Sequence, residues 1–202
     1  MIINWGDAPF KAFITVTYPS GTCTVTGEGQ SYTHSGGGST TFTVRKKGTY
    51  TVKATATNAS AAASAEITKS GQTKVVDLQY KLTINFNKTI ISKHSEATNI
   101  RHVSAFLDTY TNLTAYKKLT FNVTNRVWSN VGSGYIRFGI NPSSAAAPTK
   151  YTTANGTGAT TVTLDISSVS GGYIGISCDA YSGGVTGLSQ TGATVSTVIA
   201  TS

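Results

Sequence analysis

The sequence predicts an all-β protein made of two β-sandwich domains. Short segments alternate apolar and polar residues with a period of two, as at Val162, Leu164 and Ile166, so each has one buried and one wet face. Gly, Ser, Asn and Pro turn signals separate these segments. Charged residues make up only 12% of the chain, and Thr and Ser replace them, which suits exposed strand faces.

Positive charge is concentrated in the middle of the 202-residue chain, whose net charge is +8. Residues 81–150 contain nine Lys and Arg against two Asp and Glu, a difference of +7. Such an excess favours an anionic partner, for example a cell-wall polymer, nucleic acid or an acidic virion surface. Simple solubility is the alternative explanation.

The sequence shows no export or membrane signal. Its first residues, MIINWGDAPFK, lack a basic segment followed by a long apolar run, so we expect no signal peptide. No stretch of 18 apolar residues is present to span a membrane. Cys23 and Cys178 are too few for a disulfide framework and are expected to be separate, buried or half-buried thiols. We therefore expect a protein made in the cytosol.

Residues 1–11 are predicted to form an extended arm. Trp5 and Phe10 are its only large side chains, and Pro9 interrupts regular structure. An apolar arm of this kind packs on its own domain or docks on a neighbouring subunit.

Residues 12–80 are predicted to form the first sandwich. Turn signals separate seven short alternating segments, at 13–17, 23–26, 30–33, 40–45, 50–56, 62–68 and 74–78. The steps KGTYTV (47–52) and KSGQT (69–73) resemble those of the small immunoglobulin-like modules of tailed-phage structural proteins, and of sandwich modules in bacterial surface proteins. The resemblance implies an immunoglobulin-like domain with Tyr50 in its core.

Residues 81–202 are predicted to form a second, larger sandwich. Alternating strands are expected at 82–92, 100–107, 113–123, 134–140 and 193–200, with a short helix as the alternative at 100–107. A hairpin is expected at 160–180 with its turn near Gly171 and Gly172. Polar loops are expected at 125–133, 141–158 and 182–192. The segments LTAYKKL (113–119), GYIRFGI (134–140) and LDISSVSG (164–171) resemble those of galactose-binding-like jelly rolls. These occur in bacterial carbohydrate-active proteins and in tail or minor structural proteins of phages that infect Gram-positive hosts.

Catalytic and metal-binding patterns are missing from the sequence. No two carboxylates form an acid–base motif, and no serine lies in a Gly-x-Ser-x-Gly elbow. His94, Glu96 and His102 match no zinc spacing. Lys117 and Lys118 point to opposite faces of a strand, which argues against a nucleic-acid patch. We therefore predict a protein that is not an enzyme and needs no metal or cofactor.

A sugar site is the most plausible chemistry. Sugars are held by an aromatic face and a few fixed polar groups. Candidates lie in or beside the predicted loops of the second domain: Trp128, Tyr151 and Tyr181 for stacking, and Arg126, Asn130 and Asp179 for hydrogen bonds. Trp128 has an alternative role, because it could instead fill the end of the sandwich core.

Together, the sequence and its resemblances predict a non-enzymatic structural protein of a bacteriophage virion, associated with the tail, a head fibre or the capsid surface. It would display its sandwiches for weak attachment to host or mucosal glycans. Its arm, through Trp5 and Phe10, would contact other virion proteins, and self-association is compatible with this arrangement. The rival prediction is an adhesion or carbohydrate-binding module of a bacterial surface or secreted protein.

Overall fold

A computed structural model of the chain describes residues 9–95, 99–182 and 186–202. These residues fall into two compact units that meet in sequence between Tyr80 and Lys81. Both units are built from β-strands, so the prediction of an all-β protein with two sandwiches is confirmed. Among the described residues, no helix is long and apolar enough to cross a membrane.

The first unit is a sandwich of two sheets. Its strands are β1 (Ala12–Tyr18), β2 (Thr22–Gly27), β3 (Gln30–Ser35), β4 (Gly38–Val44), β5 (Gly48–Ala56), β6 (Ala59–Ile67) and β7 (Thr73–Asp77). One sheet has the order β4-β1-β7, in which β1 and β7 run parallel, and the other has the order β3-β2-β5-β6. Each strand matches a segment predicted from the alternation, to within three residues at either end.

Three buried tyrosines anchor the core of the first unit through their hydroxyl groups. Tyr50 donates to the backbone carbonyl of Lys46 at 2.8 Å, and Tyr80 donates to that of Ser20 at 2.6 Å. The hydroxyl of Tyr18 lies 2.6 Å from Nδ1 of His34. A buried ring with a satisfied hydroxyl fills volume without leaving an unpaired polar group. Tyr50 therefore lies in the core, as its position in the sequence motif implied.

The second unit is also a sandwich, whose two sheets we call front and back. Its strands are β8 (Lys81–His94), β9 (Asn99–Ile100), β10 (Val103–Phe106), β11 (Thr111–Asn112), β12 (Lys118–Ser129), β13 (Ser133–Asn141), β14 (Lys150–Thr153), β15 (Thr160–Asp165), β16 (Gly171–Tyr181) and β17 (Ser189–Thr201). The front sheet has the order β10-β16-β13-β14, with β11 also paired to β16. The back sheet has the order β15-β12-β17-β8-β9.

The core of the second unit lies between its two sheets. Phe121 on β12 and Phe138 on β13 bring their ring centroids to 5.7 Å across the interface. On the inner face of the front sheet, Ile136, Ile174 and Ile176 are fully buried. Every second residue of β13 and β16 therefore points inward, and the residues between them form the outer face.

The prediction of a hairpin at residues 160–180 is wrong, although both of the predicted strands exist. β15 pairs with β12 in the back sheet, whereas β16 pairs with β13 and β10 in the front sheet. The chain therefore crosses from one sheet to the other between them. Leu164 and Ile176 both point into the core. Alternation shows that each is inward but not to which sheet it belongs, so by itself it suggested that both lie on one sheet.

All three loops predicted in this unit also contain strand, since β17 begins at Ser189 within the loop predicted at 182–192. β12 runs on to Ser129 because it pairs with β17 through a bulge near Val123, so Trp128 lies in a strand instead of a loop. Within the predicted loop at 141–158, β14 adds an edge strand of four residues beside β13. Asp179 likewise lies inside β16, which ends only at Tyr181. The predicted strand at 100–107 is shorter, since β10 begins at Val103.

Candidate functional site

The outer face of the front sheet carries aromatic and charged side chains. Tyr135 and Arg137 point outward from β13 because they alternate with the buried Ile136 and Phe138. On β16, Asp179 pairs with Tyr135 and Ser177 pairs with Arg137. Residues directly opposite each other in an antiparallel pair share a face. Tyr135, Arg137 and Asp179, together with flanking residues, form a surface that we call the tyrosine–arginine strip. Its six members are Tyr151, Arg137, Tyr135, Asp179, Arg101 and Tyr181.

The guanidinium group of Arg137 lies between two tyrosine rings. Its Cζ atom is 3.8 Å from the ring centroid of Tyr135 and 4.2 Å from that of Tyr151. Tyr151 reaches this position from β14, where it pairs with Gly139. A side chain at Gly139 would overlap the backbone of Lys150 and the side chain of Tyr151, so only glycine allows the edge strand to bring Tyr151 this close.

Asp179 anchors the other end of the strip. It is only 6% exposed, and its two carboxylate oxygens accept hydrogen bonds from Nε and Nη2 of Arg101, each 3.0 Å long. Burial alone would raise the pKa of this carboxyl group, but the bonds from Arg101 and the nearby His102 lower it below its usual range. The same bonds raise the pKa of the Arg101 guanidinium. The pair is therefore ionised at neutral pH.

Three further contacts make the strip continuous. Nδ1 of His102 lies 3.5 Å from Oδ2 of Asp179 and 3.5 Å from the hydroxyl oxygen of Tyr135. At the far end, Cζ of Arg101 lies 4.8 Å from the ring centroid of Tyr181. Tyr151 and Tyr181 are each 41% exposed, so both ends of the strip present an aromatic residue to solvent.

Two buried polar atoms under the strip have no hydrogen-bond partner among the described residues. They are Nε of Arg137 and Oγ of Ser177, which lie on paired residues of β13 and β16. Ser177 is 3% exposed. Buried polar groups are nearly always paired, so two neighbouring exceptions set this part of the front sheet apart from the rest of that sheet.

The six predicted sugar contacts separate into two groups of three. Tyr151, Tyr181 and Asp179 belong to the strip, although Asp179 is held by Arg101. Trp128, Arg126 and Asn130 lie on or just after β12, in the back sheet. The structure therefore does not bring all six residues to one surface.

Arg126 stabilises a loop of its own unit. Its guanidinium donates to the backbone carbonyls of Gly158 at 3.1 Å, Asn155 at 2.9 Å and Thr157 at 3.0 Å, with a longer bond to Ala154 at 3.4 Å. These bonds occupy all three of its nitrogen atoms. Arg126 is therefore placed to hold residues 154–158 in position.

Trp128 is half-buried and pairs across strands with Thr191, which is fully buried. Because the pair shares a face, the Trp128 side chain lies on the side of the back sheet that turns toward the core. This placement favours the core-filling alternative for Trp128. Asn130 follows β12 in the left-handed backbone region, with φ of 49°, and its carbonyl accepts a hydrogen bond from the hydroxyl of Ser189.

The sugar site predicted from the sequence did not include Tyr135, Arg137, Arg101 or Ser177. A signal for the first two is present in GYIRFGI, since alternation places a tyrosine and an arginine on the wet face of that strand. Arg101 gives no such signal, because its partner Asp179 is 78 residues away.

The remaining predicted features lie outside the strip. Trp5 lies outside the described residues, while Phe10 is described and half-buried. Of the three histidine and glutamate residues considered for a metal, Glu96 also lies outside them. Over the described ranges, no group of three or more His, Cys, Asp or Glu is arranged to hold a metal ion.

Comparison with known proteins gives little guidance. No family model and no curated protein matches the chain. Two solved structures align with nearly all of it. One is the crystal structure of a candidate pore-forming toxin from Bacteroides vulgatus, 11% identical, covering 96% of this chain and 92% of that one with a TM-score of 0.22. The other, from a study of carbohydrate-binding modules of the β-sandwich superfamily, is 13% identical and covers 95% and 98%, also with a TM-score of 0.22. Neither score is high enough to establish a shared fold.

Proposed function

We propose that the second domain binds a glycan on the outer face of its front sheet. The observation that carries the proposal is the tyrosine–arginine strip, in which exposed rings flank fixed polar groups on one continuous surface. Sugars have apolar C–H faces that stack on aromatic rings, and hydroxyl groups that pair with preset donors and acceptors. Tyr151 and Tyr181 supply the rings, Arg137 and Ser177 supply polar groups between them, and Asp179 holds Arg101 in place beside Tyr181.

The proposed role is binding without catalysis. Glycoside hydrolysis needs a carboxylic acid that stays protonated near neutral pH and a second carboxylate opposite it. Asp179 stays ionised instead, because the hydrogen bonds from Arg101 lower its pKa and occupy both of its carboxylate oxygen atoms. The strip is thus suited to hold a sugar in one orientation.

Weak binding at each site is expected. An aromatic contact contributes only about 0.5–1.5 kcal/mol, so we expect a site with two exposed rings and a few hydrogen bonds to have a dissociation constant roughly in the micromolar-to-millimolar range. Display of many copies on one particle would raise the overall affinity without any new contact. A bacteriophage virion is the setting we propose, on the sequence resemblance, and a bacterial surface or secreted protein is the alternative. Detection of the protein in purified phage particles by mass spectrometry would distinguish the two.

A glycan array followed by calorimetric titration of the best ligand tests the binding proposal. Tyr151→Ala and Tyr181→Ala should each weaken binding by about fivefold, the equivalent of one aromatic contact. Phe13→Ala is the matched control, because Phe13 is a half-buried ring with a cation above it, Lys11 Nζ at 5.3 Å, in the first unit. Binding that survives both strip substitutions, or that falls equally in the control, would contradict the proposal.

A further inference from the structure

The arginines of the second unit differ in whether other groups of the protein already accept hydrogen bonds from their guanidinium groups. Both oxygens of Asp179 bind Arg101, and four backbone carbonyls bind Arg126. Arg137 contacts two rings but has no carboxylate or carbonyl partner within residues 9–95, 99–182 and 186–202. A partly buried cation without a counter-charge is unfavourable unless something else supplies the charge.

The two tyrosines determine how a ligand can reach Arg137. The ring centroids of Tyr135 and Tyr151 lie within 4.2 Å of Cζ, and Nε of Arg137 is buried, so the approach left to a ligand is toward the terminal N–H groups of the guanidinium. Two parallel N–H donors in one plane match the two oxygens of a carboxylate. The hydroxyl of Ser177, buried beside Arg137 and unpaired among the described residues, provides a further donor.

We propose that Arg137 binds the carboxylate of an acidic sugar, such as a uronic or sialic acid, with Ser177 as its neighbour. This inference rests on the proposed function and specifies the class of glycan. The second unit as a whole carries nine basic against four acidic residues, an excess that favours the approach of an anionic ligand. The sugar ring would then stack on Tyr151, whose exposed ring also packs against Arg137.

The test compares acidic polymers with the same polymers after methyl esterification of their carboxylates, which removes the charge and keeps the sugar. Polygalacturonate, alginate, hyaluronan and polysialic acid would be titrated into the full chain, with dextran sulfate and neutral dextran alongside. We expect at least one acid form to bind about tenfold or more tightly than its ester, the scale of a charge-assisted hydrogen bond. Arg137→Gln should abolish this preference, and Arg137→Lys, which keeps the charge but loses the planar fork, should retain only part of it.

Two further variants keep the result interpretable. Arg45→Gln removes the same charge from an exposed position in the first unit and should leave the preference intact. Ser177→Ala deletes a hydroxyl that has no described protein partner, so it should weaken binding of the acid form without loss of folding.

Each contrary outcome has a distinct meaning. Equal binding of acid and ester, or equal losses in Arg45→Gln and Arg137→Gln, would overturn the acidic-sugar proposal and leave glycan binding standing. A preference for dextran sulfate would overturn the carboxylate assignment. Unchanged binding in both Arg137→Gln and Ser177→Ala would remove these residues from the site. Failure to bind any glycan, acidic or neutral, would overturn the proposed function itself.

Discussion

Asp179 and Arg101 form a two-point ion pair, with both hydrogen bonds 3.0 Å long, across 78 residues of sequence. The pair fixes the segment between β9 and β10 onto β16, because Arg101 precedes β10 and Asp179 lies within β16. It also sets the end of the tyrosine–arginine strip, where Arg101 lies beside the ring of Tyr181.

Asp179→Asn should destabilise the second unit by about 1.5–3 kcal/mol, the range for hydrogen bonds to charged groups, because Arg101 would lose its counter-charge. Urea denaturation at pH 7 would measure the change. Asp165→Asn is a matched control, since Asp165 is an exposed aspartate bonded to Ser167 near the end of β15. Equal losses of stability in the two variants would show that the ion pair with Arg101 adds no more stability than the contacts of an exposed aspartate.

The stability conferred by Asp179 should depend on pH. Its folded-state pKa is lowered, so its contribution is fully present above the unfolded value of about 4 and is lost as the pH falls through the folded value. The difference in unfolding free energy between the wild type and Asp179→Asn should therefore shrink below about pH 4. Parallel urea titrations from pH 7 to pH 2 would measure it. A difference that stays constant over this range would contradict the assignment.

Trp128→Ala should lower stability and leave glycan binding unchanged. The side chain shares a face with the buried Thr191, so its removal leaves a cavity at the end of the core. Replacing a fully buried tryptophan by alanine costs about 3–5 kcal/mol of stability, and replacing a half-buried one should cost roughly half of that. Thermal melting and titration with the best array ligand would test both parts. Reduced binding with an unaltered melting temperature would restore Trp128 as a stacking residue.

Arg126→Gln should loosen residues 154–158 by removing hydrogen bonds to four carbonyl groups. Hydrogen exchange at the Gly158 amide, which donates to the Arg126 carbonyl at 3.1 Å, would report this directly. We expect faster exchange there and a loss of about 1–2 kcal/mol in stability. Arg45→Gln, at an exposed position in the first unit, should change neither quantity.

The two thiols should react only after unfolding. Both Cys23 and Cys178 are free and buried, and burial raises the pKa of Cys178 to about 11 and that of Cys23 in the same direction. Little thiolate is then present at pH 8 to attack an alkylating reagent. Iodoacetamide labelling with and without urea would test this, and rapid labelling of the native protein would contradict it.

The sequence by itself determined most of the strand segments and which of their residues face inward. Alternation at Ile136 and Phe138, or at Val162 and Leu164, reports local burial, because side chains in a strand point to opposite faces whatever the partner. Local turn residues then separate the strands. For this reason the first unit follows the predicted segments, and both strands near residues 160–180 exist.

Only the tertiary structure decided which strands pair and which side chains meet. An inward leucine on β15 and an inward isoleucine on β16 look alike in sequence, yet they reach the core from opposite sheets. A bulge in β12 likewise lets that strand continue through Trp128, which the sequence had placed in a loop. Arg137 became a site residue only when the edge strand β14 brought Tyr151 over it. Such contacts depend on chain closure over long separations, and the local period of a strand carries no information about its partner.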